Sequence, residues 1–200
     1  HKPDATQAKI RLGYNFYSSG FKDRIAFKMA NRVYGGGSFS SRLMENLRSD
    51  KGYVYSIYSR PEYNRLGGIY YVNTEVKPNR AYQTITAIKN EMKAIKSGSN
   101  KIEKQELQQN INLYNALLPK SYQQQVDILG QIIYNSEIRG RKVDYVNYFI
   151  KEYNQLTASK VQQTFAQHSY PERFFTVIVA NKNEVVEQFK EQGINVKVIN

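Results

Sequence analysis

Three consecutive glycines, Gly35 to Gly37, restrict the folding of this 200-residue chain more than any other feature. Apolar side chains recur every four residues from Phe21 to Val33, which predicts an amphipathic helix that Asp23 caps and the glycines end. A second, shorter helix is predicted from about Ser40 to Arg48. Glycine has no Cβ, so the segment between the two helices is predicted to be a flexible loop.

The remaining patterns predict clustered strands and a helical centre. Strands are predicted at Ala8 to Phe16, 53–59, 69–76 and Phe174 to Ala180, with a short closing strand at Val196 to Ile199. Helices are predicted at Ala81 to Ile95, Leu107 to Leu118, 122–135, 142–154, 158–167 and Glu184 to Gln192. Because the strands cluster and do not strictly alternate with helices, an α+β fold is favoured over a doubly wound sheet.

Three local features sharpen these predictions. The run from Phe174 to Ala180 is continuously apolar, which predicts a strand that is buried on both faces or lies in mid-sheet. Asn100 with Glu103 has the spacing of a capping box, and Thr157 is placed to open the helix at 158–167.

Composition limits the function classes but selects none. The formal net charge of +12 would attract acidic surfaces or polyanions, yet the basic residues are spread along the chain and a solvated surface explains them. No run of eighteen apolar residues occurs, so no membrane span is predicted. The absence of cysteine excludes disulfides and fits either the cytoplasm or a bacterial periplasm. The N-terminal residues lack the apolar core of a signal peptide, which would be removed or lie upstream if the protein were exported.

The motifs of hydrolytic chemistry are missing from the sequence. Its only histidines are His1 and His168, and neither His-x-x-Glu-His nor His-Glu-x-x-His occurs, so no self-contained zinc site is expected. His168 is instead expected at the end of a helix, where partial positive charge suits the dipole. There is no cysteine nucleophile, no Gly-x-Ser-x-Gly elbow and no Gly-rich phosphate motif.

Arg48 and Tyr55 remain as candidate functional residues. Arg48 is predicted in the last turn of the short helix and Tyr55 on the following strand, with Gly52 permitting the reversal between them. Together a guanidinium fork and a phenol hydroxyl could hold a peptide carbonyl or stabilise an oxyanion. An arginine at a helix end and a packed tyrosine explain the same residues equally well.

One ordered series of residues resembles a known family. The series begins with Ala30-Asn31 and the three glycines and continues with Ser38-Phe39-Ser40-Ser41-Arg42-Leu43-Met44. It ends with Asn46-Leu47-Arg48, Lys51-Gly52 and Tyr55-Ser56. The series is similar to the C-terminal, non-catalytic domain of the M16 zinc metallopeptidases, a family that includes pitrilysin-like, insulinase-like and mitochondrial-processing-peptidase-like enzymes. The similarity extends to the first strand, to Ile102–Leu118, and to the late helix and strand up to Ala180.

The resemblance implies a two-layer sandwich, with a mostly antiparallel sheet and helices packed on one face. It implies one domain over residues 1–200, excised from or paired with a half that carries His-x-x-Glu-His. No cofactor or metal is expected in this chain, and zinc is expected in the partner half. By resemblance, Arg48 and Tyr55 contact the substrate backbone near the scissile bond. The residues that resemble a shortened, substrate-touching glycine-rich loop are Gly35, Gly36, Gly37, Ser38 and Phe39.

The implied function is that of a non-catalytic half of a zinc endopeptidase, inactive alone, that closes the substrate chamber. Its expected partners are the catalytic half and a peptide or unfolded polypeptide. A non-enzymatic scaffold of the same fold is the alternative, because some relatives are structural subunits of a respiratory complex. Nucleic-acid binding, suggested by the charge and the seventeen tyrosines, is disfavoured because no known basic-aromatic motif is present.

Overall fold

The computed structural model describes residues 1–37 and 40–199, and its centre is a four-stranded sheet. The strands lie in the order β2-β3-β1-β4, and all three pairings are antiparallel. Their bounds are β1 at Ala8–Phe16, β2 at Val54–Tyr63, β3 at Gly68–Val76 and β4 at Phe175–Val179. The hairpin of β2 and β3 and the clustering of the strands agree with the predicted α+β class.

Helices occupy most of the remaining chain. The α-helices are α1 (Arg24–Asn31), α2 (Arg42–Met44), α3 (Ala81–Ser97), α4 (Lys104–Leu117), α5 (Gln125–Ile133), α6 (Tyr145–Asn154), α7 (Ala158–His168) and α8 (Lys182–Lys190). Three of them are followed directly by π-helical turns, which cover Arg32–Gly36 after α1, Glu45–Asp50 after α2 and Tyr134–Ile138 after α5. Short 3₁₀ turns lie at Pro78–Arg80, Leu118–Tyr122 and Pro171–Arg173. Among the helices described, none is both long and apolar enough to cross a membrane.

The sheet buries one face under the helices. Alternate residues of β1 are buried, and they are the predicted set Ala8, Ile10, Leu12, Tyr14 and Phe16. Helices α1, α2 and α3 contact the sheet, and α7 packs on α1 and α3. The two-layer arrangement therefore follows from period-two burial in the strands and amphipathic helices laid across them.

The last strand differs from its prediction. Within the part of the chain that the structure describes, β4 pairs with β1 alone and lies at the edge of the sheet, where Phe175 is 75% exposed and Val177 is 50% exposed. The prediction of a strand buried on both faces or in mid-sheet was wrong, because within the described residues no layer covers this side of β4. The predicted closing strand at Val196–Ile199 was also wrong, since these residues form no strand.

The cap of α7 was predicted correctly, whereas the capping box of α4 was predicted at the wrong residues. Thr157 caps α7, with its hydroxyl accepting from the backbone nitrogen of Lys160 at 3.2 Å. The capping box of α4 uses Glu103 and Glu106, not Asn100 and Glu103. The helix begins at Lys104, so the reciprocal bonds form three residues further along than predicted.

Buried Asn31 connects the helical layer to the sheet. It ends α1, and its amide nitrogen donates to the backbone carbonyl of Ser59 at 3.0 Å. Its amide oxygen accepts from the hydroxyls of Ser59 at 2.7 Å and of Tyr70 at 2.8 Å. These three bonds tie the end of α1 to neighbouring strands β2 and β3.

Asn31→Ala is expected to lower the free energy of unfolding by about 2–3 kcal/mol, because the buried hydroxyls of Ser59 and Tyr70 lose their acceptor. The measurement is urea unfolding followed by circular dichroism. Asn15→Ala, at an exposed position of β1, is the matched control and should stay within about 0.5 kcal/mol of the wild type. Equal effects of the two substitutions would contradict the role of Asn31.

Asp23 precedes α1 as predicted, but its side chain makes no capping bond. It accepts from Lys160 Nζ at 2.7 Å and lies 3.5 Å from Nε2 of His168, so it joins the start of α1 to α7. The predicted cap was wrong because this carboxylate is drawn to the two basic side chains of α7. The hydrogen bond from Lys160, assisted by His168, lowers the pKa of Asp23.

A lowered carboxyl pKa contributes stability above the unfolded-state value of about 3.9, and this contribution is lost as the pH falls through the folded-state value. The stability advantage of the wild type over Asp23→Asn should therefore shrink on acidification from about pH 6 to about pH 3. Since the pair is partly exposed, the full difference should be below about 1 kcal/mol. Thermal unfolding of both proteins across this range, with Asp4→Asn as the control, measures it. A constant difference would contradict the assignment.

Candidate functional site

The glycine run is closely packed. Gly35 and Gly36 belong to the π-helical continuation of α1, and Gly37 follows in an extended conformation. A Cβ on Gly35 would lie 2.7 Å from Leu43 Cδ1 and 2.8 Å from Ser59 Oγ, and one on Gly36 would overlap the amide nitrogen of Asn31. The expectation of a flexible loop was wrong for Gly35 and Gly36, which are required by close packing.

Two residues of the predicted glycine-rich loop, Ser38 and Phe39, lie outside the described residues. The described part of the loop is thus Gly35 to Gly37. A Cβ on Gly37 would lie 2.6 Å from the carbonyl oxygen of Arg32, so the segment stays close to the preceding helix over its whole described length.

Gly36→Ala should destabilise the fold by about 1–3 kcal/mol, because its methyl group collides with the Asn31 amide and displaces the bonds to β2 and β3. Gly67→Ala is the matched control, since a Cβ there meets nothing within 4 Å. We expect the control to change the unfolding free energy by less than about 0.5 kcal/mol. Chemical denaturation of both variants measures the effect, and wild-type stability of Gly36→Ala would contradict close packing.

Arg48 lies in the π-helical turns after α2, at the point where the chain turns into β2. Gly52 makes this turn possible with a φ of +61°, which side chains other than glycine rarely adopt. The turn is closed by Gly52 N donating to Arg48 O at 3.1 Å and Tyr53 N donating to Leu47 O at 2.9 Å. These nested bonds are each one residue wider than those of a Schellman motif, as the π-helical turn requires, and they agree with the predicted reversal at Gly52.

A β-bulge presents Tyr55 to solvent. Val54 pairs with Val76 and Ile57 pairs with Thr74, so β2 carries one extra residue between these pairs. Bulges of this kind bend an edge strand and redirect its side chains. Tyr55 lies within the bulge and is 82% exposed.

The helix end and the bulge bring Arg48 and Tyr55 together. The guanidinium carbon of Arg48 lies 5.2 Å from the centre of the Tyr55 ring, within range of a cation–π interaction. Arg48 is half-buried, whereas the tyrosine projects into solvent. The pair can therefore present a guanidinium group and a phenol hydroxyl to a molecule that approaches the outer edge of β2.

The histidines occupy structural positions. His168 ends α7 as predicted, and its Nδ1 lies 3.0 Å from the hydroxyl of Tyr17. His1 Nδ1 accepts from the backbone nitrogen of Lys182 at 3.2 Å. Across residues 1–37 and 40–199, no three His, Cys, Asp or Glu side chains form a group that could hold a metal ion.

Sequence reasoning missed a second surface feature, a cavity of about 470 Å³ beside α1. We call it the cationic pocket, because six basic side chains line it: Arg24, Lys28, Arg32, Arg60, Arg139 and Arg141. The sequence contained one signal for this pocket, since Arg24, Lys28 and Arg32 are spaced four residues apart and lie on one side of α1 and its π-helical continuation. The other three come from distant parts of the chain, and only the tertiary structure brings them to the same cavity.

The fold and the site together define a two-layer α+β domain with an exposed arginine–tyrosine pair. The model of the peptidase M16 inactive domain family matches residues 1–114 of the 200, which is more than half of the chain. The chain belongs to this family. No curated protein matches it.

Solved structures with the same fold include an M16 inactive domain from Pseudomonas fluorescens, with a TM-score of 0.75, 21% identity, and coverage of 88% of this chain and 41% of that one. An inactive peptidase domain from Bordetella parapertussis has a TM-score of 0.71 at 12% identity, covering 90% of this chain and 96% of that one. A chain of Complex III2 from Candida albicans has a TM-score of 0.72 at 11% identity, covering 92% of this chain and 45% of that one. The chain thus spans about two fifths of the Pseudomonas protein.

Proposed function

We propose that this chain is the non-catalytic half of a zinc-dependent endopeptidase, forming one domain over residues 1–200. In this role it closes the substrate chamber against a zinc-binding half, supplied by the same protein or by a separate subunit. The observation that carries the proposal is the Arg48–Tyr55 pair, held at 5.2 Å on an exposed edge in a member of the M16 inactive-domain family.

The surface of the chain supports a need for a partner. Apolar side chains are exposed on β4 at Phe175, Val177 and Val179, and on α5 at Val126 and Leu129. Large apolar side chains exposed in groups on one element are typical of protein contact sites. A catalytic half docked on this chain would remove part of it from water.

The pair suits contact with a peptide backbone. β2 is an edge strand, and on the side that faces away from β3 its main-chain groups have no partner strand among the described residues. An extended peptide could therefore pair with this side of β2. Arg48 would then offer its guanidinium donors, and Tyr55 its hydroxyl, to a carbonyl oxygen of that peptide.

The reaction divides between the two halves. Zinc in the partner would supply the activated water that attacks the peptide bond. This chain would hold the substrate backbone and stabilise the negative charge that develops on the carbonyl oxygen. Both contributions come from the permanently charged guanidinium of Arg48 and the hydroxyl donor of Tyr55, so they require no proton transfer by this chain.

Arg48→Ala and Tyr55→Phe, each in the enzyme assembled with its zinc-binding half, should lower kcat/KM for an unstructured peptide by about 10–10³-fold. Arg48→Lys should also be impaired, since an ammonium lacks the guanidinium fork. Cleavage of a fluorogenic peptide gives the rates, and metal analysis with size-exclusion chromatography confirms that zinc and assembly are retained.

Arg65→Ala and Tyr148→Phe are matched controls at exposed positions away from the pair, and they should retain wild-type rates. Wild-type rates for both Arg48→Ala and Tyr55→Phe would remove these residues from the proposed site. Loss of zinc or of assembly in these variants would show a structural role instead.

A non-enzymatic scaffold is the second candidate, favoured by the structural similarity to a chain of Complex III2. A scaffold would need the exposed apolar surfaces but not the donors of Arg48 and Tyr55. The gene of the partner half discriminates between the two. A His-x-x-Glu-His motif in that half supports the peptidase, and its absence supports the scaffold.

A further inference from the structure

The cationic pocket lies between α1, the far end of β2 and the segment that runs from α5 to α6. Among the described residues, its wall carries six basic side chains and no aspartate or glutamate. Five of the six, Arg24, Lys28, Arg32, Arg139 and Arg141, are half-buried. Such a concentration of one charge opposes folding unless something else compensates for it.

Aromatic rings take the place that carboxylates usually hold beside buried cations. The guanidinium carbon of Arg24 lies 5.2 Å from the ring centre of Tyr145, and that of Arg141 lies 4.2 Å from the same ring centre. The Nζ of Lys28 lies 4.8 Å from the ring centre of Tyr114, and the guanidinium carbon of Arg32 lies 5.3 Å from it. In the described residues, none of these four cations has a carboxylate within 4.0 Å. The rings offset part of the burial cost and leave the net charge of the pocket unneutralised.

Hydrogen-bond donors in the pocket are also left without acceptors. The Nε atoms of Arg24, Arg32, Arg139 and Arg141 are buried and have no partner among the described residues. Burial, together with the charges of Arg32, Arg139 and Arg141, lowers the pKa of Lys28 to about 8. Buried donors without acceptors are rare in native proteins and call for a physical explanation.

We propose that the cationic pocket binds a small phosphate-bearing molecule with several negative charges, such as an inorganic or nucleoside triphosphate. Phosphate oxygens match the guanidinium fork and accept several hydrogen bonds each. A cavity of about 470 Å³ can hold a molecule of this size.

An acidic peptide fits the pocket less well. Carboxylates on one side of an extended chain are about 7 Å apart and carry one charge each. A triphosphate places three or more charges within a similar length, which matches five half-buried cations around one cavity. The tyrosines among the cations could in addition stack on a nucleotide base. Neither Arg48 nor Tyr55 lines the pocket, so the test of phosphate binding does not depend on the proposed peptidase role.

The test is titration calorimetry of the full chain at pH 7 and about 50 mM salt with inorganic triphosphate, ATP and a hexaglutamate peptide. Saturable triphosphate binding with a Kd of about 10–100 μM is expected. Similar affinity for ATP assigns recognition to the phosphates, and tighter ATP binding adds base stacking to it.

Lys28→Met and Arg141→Gln should each weaken triphosphate binding at least about tenfold, because each removes a charge-assisted contact. Lys93→Met, at an exposed position of α3, is the matched control and should stay within about twofold of the wild type. Without ligand, Lys28→Met should raise the melting temperature by about 2–4 °C, because it removes a charge from a crowded, partly buried cluster.

Three results would overturn the proposal. The first is the absence of saturable triphosphate binding up to about 1 mM, a concentration that detects even weak complexes. The second is unchanged binding in both Lys28→Met and Arg141→Gln, which would place the phosphate elsewhere on the basic surface. The third is tighter binding of hexaglutamate than of triphosphate, which would assign the pocket to acidic polypeptide.

Discussion

The amide of Asn31 holds the end of α1 against β2 and β3, and the neighbouring features depend on that contact. Gly36 must lack a side chain because the Asn31 amide occupies the space where its Cβ would lie. Ser59, which exchanges two hydrogen bonds with Asn31, also limits the space beside Gly35. One buried polar group therefore fixes where α1 ends and how closely the glycine run approaches the sheet.

The Arg48–Tyr55 pair is produced by two departures from regular geometry. The chain after α2 winds as a π-helix to Asp50, which sets the direction from which Arg48 approaches β2. The bulge in β2 then places Tyr55 where the guanidinium can reach its ring. Irregular turns and bulges recur next to functional sites because they aim side chains that regular elements would direct elsewhere.

The cationic pocket and the apolar core contribute to the stability of the fold with opposite sign. Aliphatic and aromatic side chains under the sheet lower the free energy of the fold, whereas the half-buried cations along α1 raise it. Tyr114 and Tyr145 reduce this cost without neutralising the charge. A protein tolerates such a local conflict where a site requires it.

The sequence by itself determined the helices, the strands of the hairpin and the buried face of β1, because these depend on local periodicity. It also determined the family through the ordered series from Ala30 to Ser56, and it placed Arg48 and Tyr55 on adjoining elements. Only the tertiary structure decided that the glycines are packed, that β4 lies at an edge, and that cations from α1 and from residues 139–141 share one cavity. These three features depend on contacts between segments that are distant in the chain, and local periodicity does not encode such contacts.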